Sequence, residues 1–171
     1  MQRSRISRRR GAEDMSPSAR LAQMLAIAVP ALLLGGAYIS QYAFGLFPCE
    51  MCWWQRYAHF AALALALVST VVPPKRAWVL LAGIAILVAG LLGAYHAGVE
   101  YKWWEGVTTC SSTSSGHSLE DIMNAPLIRC DEPQWTLFGI SLAGFNFLIS
   151  TAGAIAIFIL LARKSPRRAT A

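Results

Sequence analysis

The sequence predicts an all-α protein: a four-helix transmembrane bundle with one long outer loop that carries a short amphipathic helix. Three observations predict it. Of the 171 residues, 56% are hydrophobic and only 14% are charged, where a soluble domain carries about 25% charge. Mean hydropathy is +0.45. Four apolar stretches are each of a length to cross the roughly 30 Å hydrocarbon core, which takes about 20 helical residues. The basic residues collect on alternate connections, as they do when a chain weaves through a bilayer.

The elements follow in order. Residues 1–20 form a polar, basic tail of the composition that stays disordered. The first span is Leu21–Phe44. Its apolar run exceeds that of a typical secretory signal, no clear A-x-A cleavage site follows, and three more spans come after it, so it reads as a retained helix. The second span, Tyr57–Val72, is short and extends back through Trp53 and Trp54, which suit the membrane interface. The third is Ala77–His96 and the fourth Leu137–Ala162. The bundle therefore occupies residues 21–162, and residues 163–171 are a second basic tail. No period of 20–50 residues recurs, which excludes a solenoid.

Charge sets the orientation. The first tail, the connection holding Lys75 and Arg76, and the last tail carry twelve of the fifteen basic residues. The other side holds only Arg56, Lys102 and Arg129, with seven of the nine acids. The positive-inside rule places both termini in the cytoplasm. The net charge of +6 is then a topology signal and a match to the lipid bilayer. No nucleic-acid partner is expected, because the basic residues flank spans without interleaved aromatics.

All four cysteines, Cys49, Cys52, Cys110 and Cys130, fall on the outer side. Disulfides persist there and are reduced inside. Four cysteines allow three connectivities, and the spacing favours Cys49–Cys52 with Cys110–Cys130. The first pair lies in a short connection, where Pro48 stops one helix and suits the start of the next. A helix N-terminus stabilises a thiolate. Arg56, one turn after Cys52, adds a permanent charge that can lower a cysteine pKa or grip an electron-rich ligand. Cys49, Cys52, Arg56 and His59 share one helical stripe. The plainer readings are an Arg56 that snorkels to the interface and a His59 satisfied inside the bundle. Zinc is not expected, because Cys110 and Cys130 are too far apart to form the second close ligand pair.

The long connection spans about residues 97–136, and loops of that length are usually functional or disordered. Ser118-Leu119-Glu120-Asp121 reads as a capping box that opens a short helix, ended by Pro126. Leu119, Ile122 and Met123 give it an apolar side for the membrane surface. A Cys110–Cys130 disulfide would stabilise this loop by roughly 3 kcal/mol if purely structural. The flexible run Ser111–Gly116 favours an exchangeable bond, which an attacking thiolate must reach. His96 ends the third span, where it can relay protons, bond a carbonyl ligand or merely mark the water boundary. His117 reads as a solvated loop residue.

These residues resemble the DsbB family of membrane disulfide-generating proteins. The match rests on Pro48-Cys49-x-x-Cys52-x-x-Gln55-Arg56, on the cysteine pair between spans three and four, and on Cys130-Asp131-Glu132-Pro133-Gln134-Trp135 leading into Gly139-Ile140-Ser141. It covers Leu21 to Ala162. The resemblance implies a four-helix bundle in the bacterial inner membrane with a periplasmic loop. It implies reoxidation of a periplasmic thioredoxin-fold oxidant (DsbA-like) and transfer of its electrons to the membrane quinone pool, ubiquinone or menaquinone. Carried over, Cys110–Cys130 meets the partner, and Cys49–Cys52 takes the electrons onward. Cys52 lies against the quinone, and Arg56 holds a quinone oxygen, with His96 near a family histidine. The 19 residues between Cys110 and Cys130 are compact for that family. The rival readings are a reductase like vitamin K epoxide reductase, whose motif usually lies on the last helix, and a structural membrane protein with two stabilising disulfides.

Overall fold

Residues 15–107, 111–112 and 127–163 are described by a computed structural model. Four long helices make the bundle: α1 (Pro17–Phe44), α2 (Glu50–Val71), α3 (Lys75–Glu100) and α4 (Leu142–Ala162). α1 starts four residues earlier than the hydropathy placed it. Ser16 caps it by accepting from the Ala19 N–H at 3.2 Å, and Pro17 occupies its first turn, where a missing N–H costs nothing. Its far end closes at Gly45, whose φ of 69° is the left-handed conformation that ends helices. α3 runs one turn past His96, to Glu100.

α4 starts five residues later than expected. Two antiparallel pairs of two-residue strands lie in the long connection: β1 (Ser111–Ser112) with β2 (Leu127–Ile128), and β3 (Thr136–Leu137) with β4 (Ile140–Ser141). The second pair occupies the stretch assigned to the start of the fourth span. Its turn residues, Phe138 and Gly139, have φ of 52° and 77°, the signature of a tight hairpin turn. Ser141 then caps α4, its Oγ accepting from the Gly144 N–H at 3.1 Å. The capping-box helix at Ser118–Pro126, His117, Cys110 and most of the two basic tails lie outside the described residues.

α1, α3 and α4 are long and apolar enough to cross a membrane. α2 has the length, with 22 residues, but Glu50, Gln55, Arg56 and His59 dilute its first half. The core is rich in alanine, with Ala19, Ala22 and Ala26 of α1, Ala62 and Ala66 of α2, Ala82 of α3 and Ala154 of α4, filled in by Val79, Ile86, Ile157 and Leu161. Small residues let helix backbones approach, the usual source of packing energy where lipid removes the hydrophobic drive. Gly93 shows how close α3 and α4 come, since a Cβ there would lie 2.9 Å from the Ala143 carbonyl oxygen and from Asn146 Nδ2. Ile39, Val71, Leu91 and Ile159 face outward, which suits a lipid solvent.

One end of the bundle gathers the functional segments. The α1–α2 connection and the α3–α4 connection both lie there, and Gln134 Nε2 donates to the Phe47 carbonyl at 2.7 Å to join them. Tyr101 ties the hairpin to the end of α3: its hydroxyl donates to the Gly139 carbonyl at 2.8 Å and accepts from the Ser141 N–H at 2.9 Å. Trp104 folds back over Gly98 and donates to the Tyr95 carbonyl at 2.9 Å.

Candidate functional site

Cys49 is the cap residue of α2, and Cys52 sits in its first turn. This follows from the sequence, since Pro48 ends the preceding segment and the cysteine side chain can accept from the free N–H groups of the first turn. The two Sγ atoms are 3.0 Å apart, and the Cys52 N–H donates to Cys49 Sγ at 3.4 Å. Closure to a disulfide needs an approach of about 1 Å. The Cys49 thiol is pushed up to about 12, first by its hydrogen bond with Cys52 and then by burial. Cys49 therefore keeps its proton and offers it to the Cys52 sulfur.

Cys130 joins them. It is buried in one cluster with Cys49, Met51, Val99 and Ile128, with Cys52, Trp54 and Tyr95 packed alongside. β2 leads to it, and β1 pairs Ser111, the residue after Cys110, with Ile128. Asp131 pins the following segment: Lys102 Nζ and Arg129 Nη2 each lie 2.8 Å from its Oδ2. The Arg129 guanidinium, then Lys102, hold the Asp131 carboxyl well below the usual carboxylate range.

His96 stands against the thiols. Its Nε2 lies 3.6 Å from Cys49 Sγ and 3.7 Å from Glu100 Oε1, and its Nδ1 lies 2.9 Å from Gln55 Nε2. The proton positions follow from the neighbours. Gln55 Nε2 donates to the Met51 carbonyl at 3.1 Å, so it is the amide nitrogen, and Gln55 donates to His96 Nδ1. His96 Nδ1 is then the acceptor, and Nε2 carries the hydrogen toward Cys49. Gln55 Oε1 in turn accepts from Asn146 Nδ2 at 2.7 Å, and the same nitrogen donates to the Ala89 carbonyl at 3.0 Å. Asn146 Oδ1 accepts from His59 Nε2 and from Ser150 Oγ, both at 2.8 Å. A single hydrogen-bonded chain thus runs from Cys49 through His96, Gln55 and Asn146 to His59, across α2, α3 and α4.

Beside this chain lies a cavity of about 250 Å³ lined by all four helices and by the α3–α4 connection. Cys49, Cys52, Arg56, His59 and His96 all line it, so the stripe read from the sequence faces one space. Arg56 is buried. It donates to Gln41 Oε1 at 2.6 Å and to the Ala37 carbonyl at 3.2 Å, with the Tyr38 and Trp53 rings 4.9 and 5.1 Å from its guanidinium carbon. Among the described residues no carboxylate pairs with it. Arg56 is therefore not a snorkelling residue: its charge stays inside the bundle.

Cys49 Sγ, Cys52 Sγ and a His96 ring nitrogen lie within 4.8 Å of one another, a three-donor set that cysteine spacing alone did not suggest. Two thiolates on one tetrahedral zinc at about 2.3 Å each stand about 3.8 Å apart. The sulfurs here are 3.0 Å apart, closer than zinc would hold them.

Sequence reasoning named Cys49, Cys52, Cys130, Arg56 and His96, and all five meet here. It gave no role to Gln55, Asn146 or Glu100. Asn146 carried a signal, because an amide within an apolar span is costly unless it is bonded. His59 was read as a satisfied histidine, and it is only half satisfied: its Nδ1 has no hydrogen-bond partner among the described residues.

Comparison with known proteins gives the chain's family. Residues 19–160 match the family described as "Disulfide bond formation protein DsbB". "Disulfide bond formation protein B" of Verminephrobacter eiseniae is 30% identical over 161 residues, covering 88% of this chain and 89% of the relative. That of Aromatoleum aromaticum is 31% identical over 150 residues, 80% and 89% of the two chains. An uncharacterised protein of Rickettsia prowazekii is 25% identical over 150 residues, 83% and 87% of the two. No solved structure matches the chain.

Proposed function

The chain belongs to the DsbB family of membrane disulfide bond formation proteins, and from that premise we propose that it reoxidises a periplasmic thioredoxin-fold dithiol protein and passes the electrons to a membrane quinone. The single observation that carries the quinone half is Arg56. A buried guanidinium that pairs with no carboxylate among the described residues and lines the same cavity as Cys52 is costly unless an electron-rich group shares the space. A quinone carbonyl is such a group. About 250 Å³ approaches the lower end of small-molecule sites, about 300 Å³, which suits a ring head group. Leu32 and Leu33 of α1 line the same cavity and suit an apolar tail.

The steps balance as two electrons and two protons per turnover. The partner's thiolate attacks the Cys110–Cys130 disulfide, forming a mixed disulfide with Cys110 and releasing Cys130 as a thiolate. Cys130, packed against the first pair, attacks Cys49 of the Cys49–Cys52 disulfide. A Cys49–Cys130 bond forms and Cys52 leaves as a thiolate, its sulfur in the first turn of α2, where free N–H groups favour the anion. The partner's second thiolate resolves the mixed disulfide and frees Cys110. Cys110 then recloses on Cys130 and releases Cys49, whose sulfur takes the hydrogen bond from His96 Nε2. The reduced Cys49–Cys52 pair now holds the two electrons. A quinone supplies the acceptor, taking two electrons and two protons as it becomes a quinol. A DsbA-like partner sits near −120 mV, about as oxidising as protein dithiols become, so a strong acceptor is required.

The test mixes purified protein with a reduced thioredoxin-fold dithiol protein and a soluble quinone, and follows quinone absorbance. Turnover should vanish in Cys52→Ser. In Arg56→Ala the KM for quinone should rise while the KM for the partner holds. No turnover with any of several partners and quinones would leave the cysteines as structural disulfides and overturn the reading.

A further inference from the structure

His59 takes no part in the thiol–disulfide steps, yet it lines the cavity and is buried, 3% exposed. The surrounding amides fix where its hydrogen sits. Asn146 Nδ2 is committed as a donor to the Ala89 carbonyl and to Gln55 Oε1. Asn146 Oδ1 must therefore be the atom 2.8 Å from His59 Nε2, and a carbonyl oxygen at that distance requires a hydrogen on the nitrogen. The neutral ring then carries a bare lone pair on Nδ1, the atom left without a partner among the described residues. Buried acceptors are nearly always satisfied. The residue that carries this one lines the space assigned to the quinone, with Nδ1 itself shielded in the ligand-free protein.

A lone pair discriminates between the two redox forms of that ligand. A quinone oxygen is an acceptor and gains nothing from Nδ1. A quinol hydroxyl is a donor and fits it. Arg56 presents donors to either form. His59 follows Arg56 by three residues on α2, a rise of about 4.5 Å, which one ring with para oxygens can bridge once the imidazole turns its shielded Nδ1 toward the cavity.

We infer that His59 Nδ1 accepts a hydrogen bond from a hydroxyl of the reduced ligand, so that the cavity binds quinol more tightly than quinone. The inference rests on the quinone reading above and extends it to the product. Its consequence is thermodynamic. A tenfold preference for quinol raises the two-electron potential of the bound couple by about 30 mV, which makes the site a stronger oxidant toward the cysteine pair.

The test reads binding and potential, not turnover. The full-length protein, in a Cys52→Ser background that stops electron transfer, is titrated with decylubiquinol and with decylubiquinone, following tryptophan fluorescence. His59→Leu should weaken quinol binding about tenfold, the size of one buried hydrogen bond lost, and leave quinone binding within about twofold. His59→Gln can donate to Asn146 through its amide nitrogen and offer its oxygen in place of Nδ1, so it should restore most of the quinol affinity. The bound couple should fall by about 30 mV in His59→Leu and recover in His59→Gln. Equal losses for both ligands would mean that His59 only supports packing, and unchanged affinities would mean that Nδ1 meets only water. Either result overturns the inference while leaving the quinone site standing. Failure of both ligands to bind the His59 protein would remove the quinone reading and this inference with it.

Discussion

Replacing Asn146 with leucine should cost roughly 2–4 kcal/mol of bundle stability. Leucine is similar in size, so little cavity forms, and the loss is one of hydrogen bonds. Asn146 donates to Gln55 Oε1 and the Ala89 carbonyl and accepts from His59 Nε2 and Ser150 Oγ. Two of these partners have substitutes: the Ala89 carbonyl keeps its place in α3, and the Ser150 hydroxyl can turn to its own helix backbone. His59 Nε2 and Gln55 Oε1 are left stranded. A stranded buried polar group costs about 1–3 kcal/mol. Measured hydrogen bonds between membrane helices average only about 0.6 kcal/mol, and four of them give about 2.4. The two routes overlap near 2–4 kcal/mol. The assay is reversible unfolding in mixed micelles, followed by circular dichroism, on Asn146→Leu, Asn146→Asp and Ser150→Ala. Asn146→Asp keeps the acceptors and should fall between, and Ser150→Ala should lose about 0.6 kcal/mol. A loss below about 0.5 kcal/mol for Asn146→Leu would refute the continuous chain, because at least one stranded group must cost about 1 kcal/mol.

Further outcomes follow from the same geometry. Gly93→Ala should destabilise by about 1–3 kcal/mol, because the new Cβ meets the Ala143 carbonyl at 2.9 Å and α4 must retreat; micelle unfolding would show it, and an unchanged midpoint would contradict the close approach. Cys49 has a thiol pushed from 9.0 to about 12, so the fold favours its protonated form. That contribution is complete below pH 9 and is lost as pH rises toward 12, and the reduced protein should lose stability over that window while its oxidised form does not. Asp131 is shifted the other way, so its ion pairs with Arg129 and Lys102 act fully above the ordinary aspartate value of 3.8 and fade as pH falls below it. Asp131→Asn should speed hydrogen exchange around Cys130 at neutral pH, and no change there would deny Asp131 a tethering role. Zinc chelation should leave dithiol oxidation by the purified protein unchanged, and a gain in rate would mean that the Cys49, Cys52 and His96 donors were holding metal.

Some of the site was readable from local pattern alone. Cys49, Cys52, Arg56 and His59 recur at three- and four-residue spacing, and a helix must put such residues on one side. Which side faces a cavity is a different matter. It depends on how α2 is rotated against α1 and α4. The hairpin before α4 was hidden because Leu137, Phe138 and Ile140 are as apolar as a span, and hydropathy does not register the positive φ at Phe138 and Gly139. Gln55 belonged to a recognised motif, but its role depends on His96 and Asn146, 41 and 91 residues away.

By itself the sequence determined the apolar composition of the spans, the four helices of the bundle and the residues that can carry redox chemistry. These follow from composition, length and period, which are local properties of the chain. The tertiary structure alone decided that Cys130 lies against the first cysteine pair, that Arg56 is buried with no carboxylate paired to it among the described residues, and that two amides set the hydrogens of two histidines. Those facts depend on helix rotation and on side chains brought together from distant positions, where small alanine and glycine surfaces let the helices close around a few polar groups that must satisfy one another.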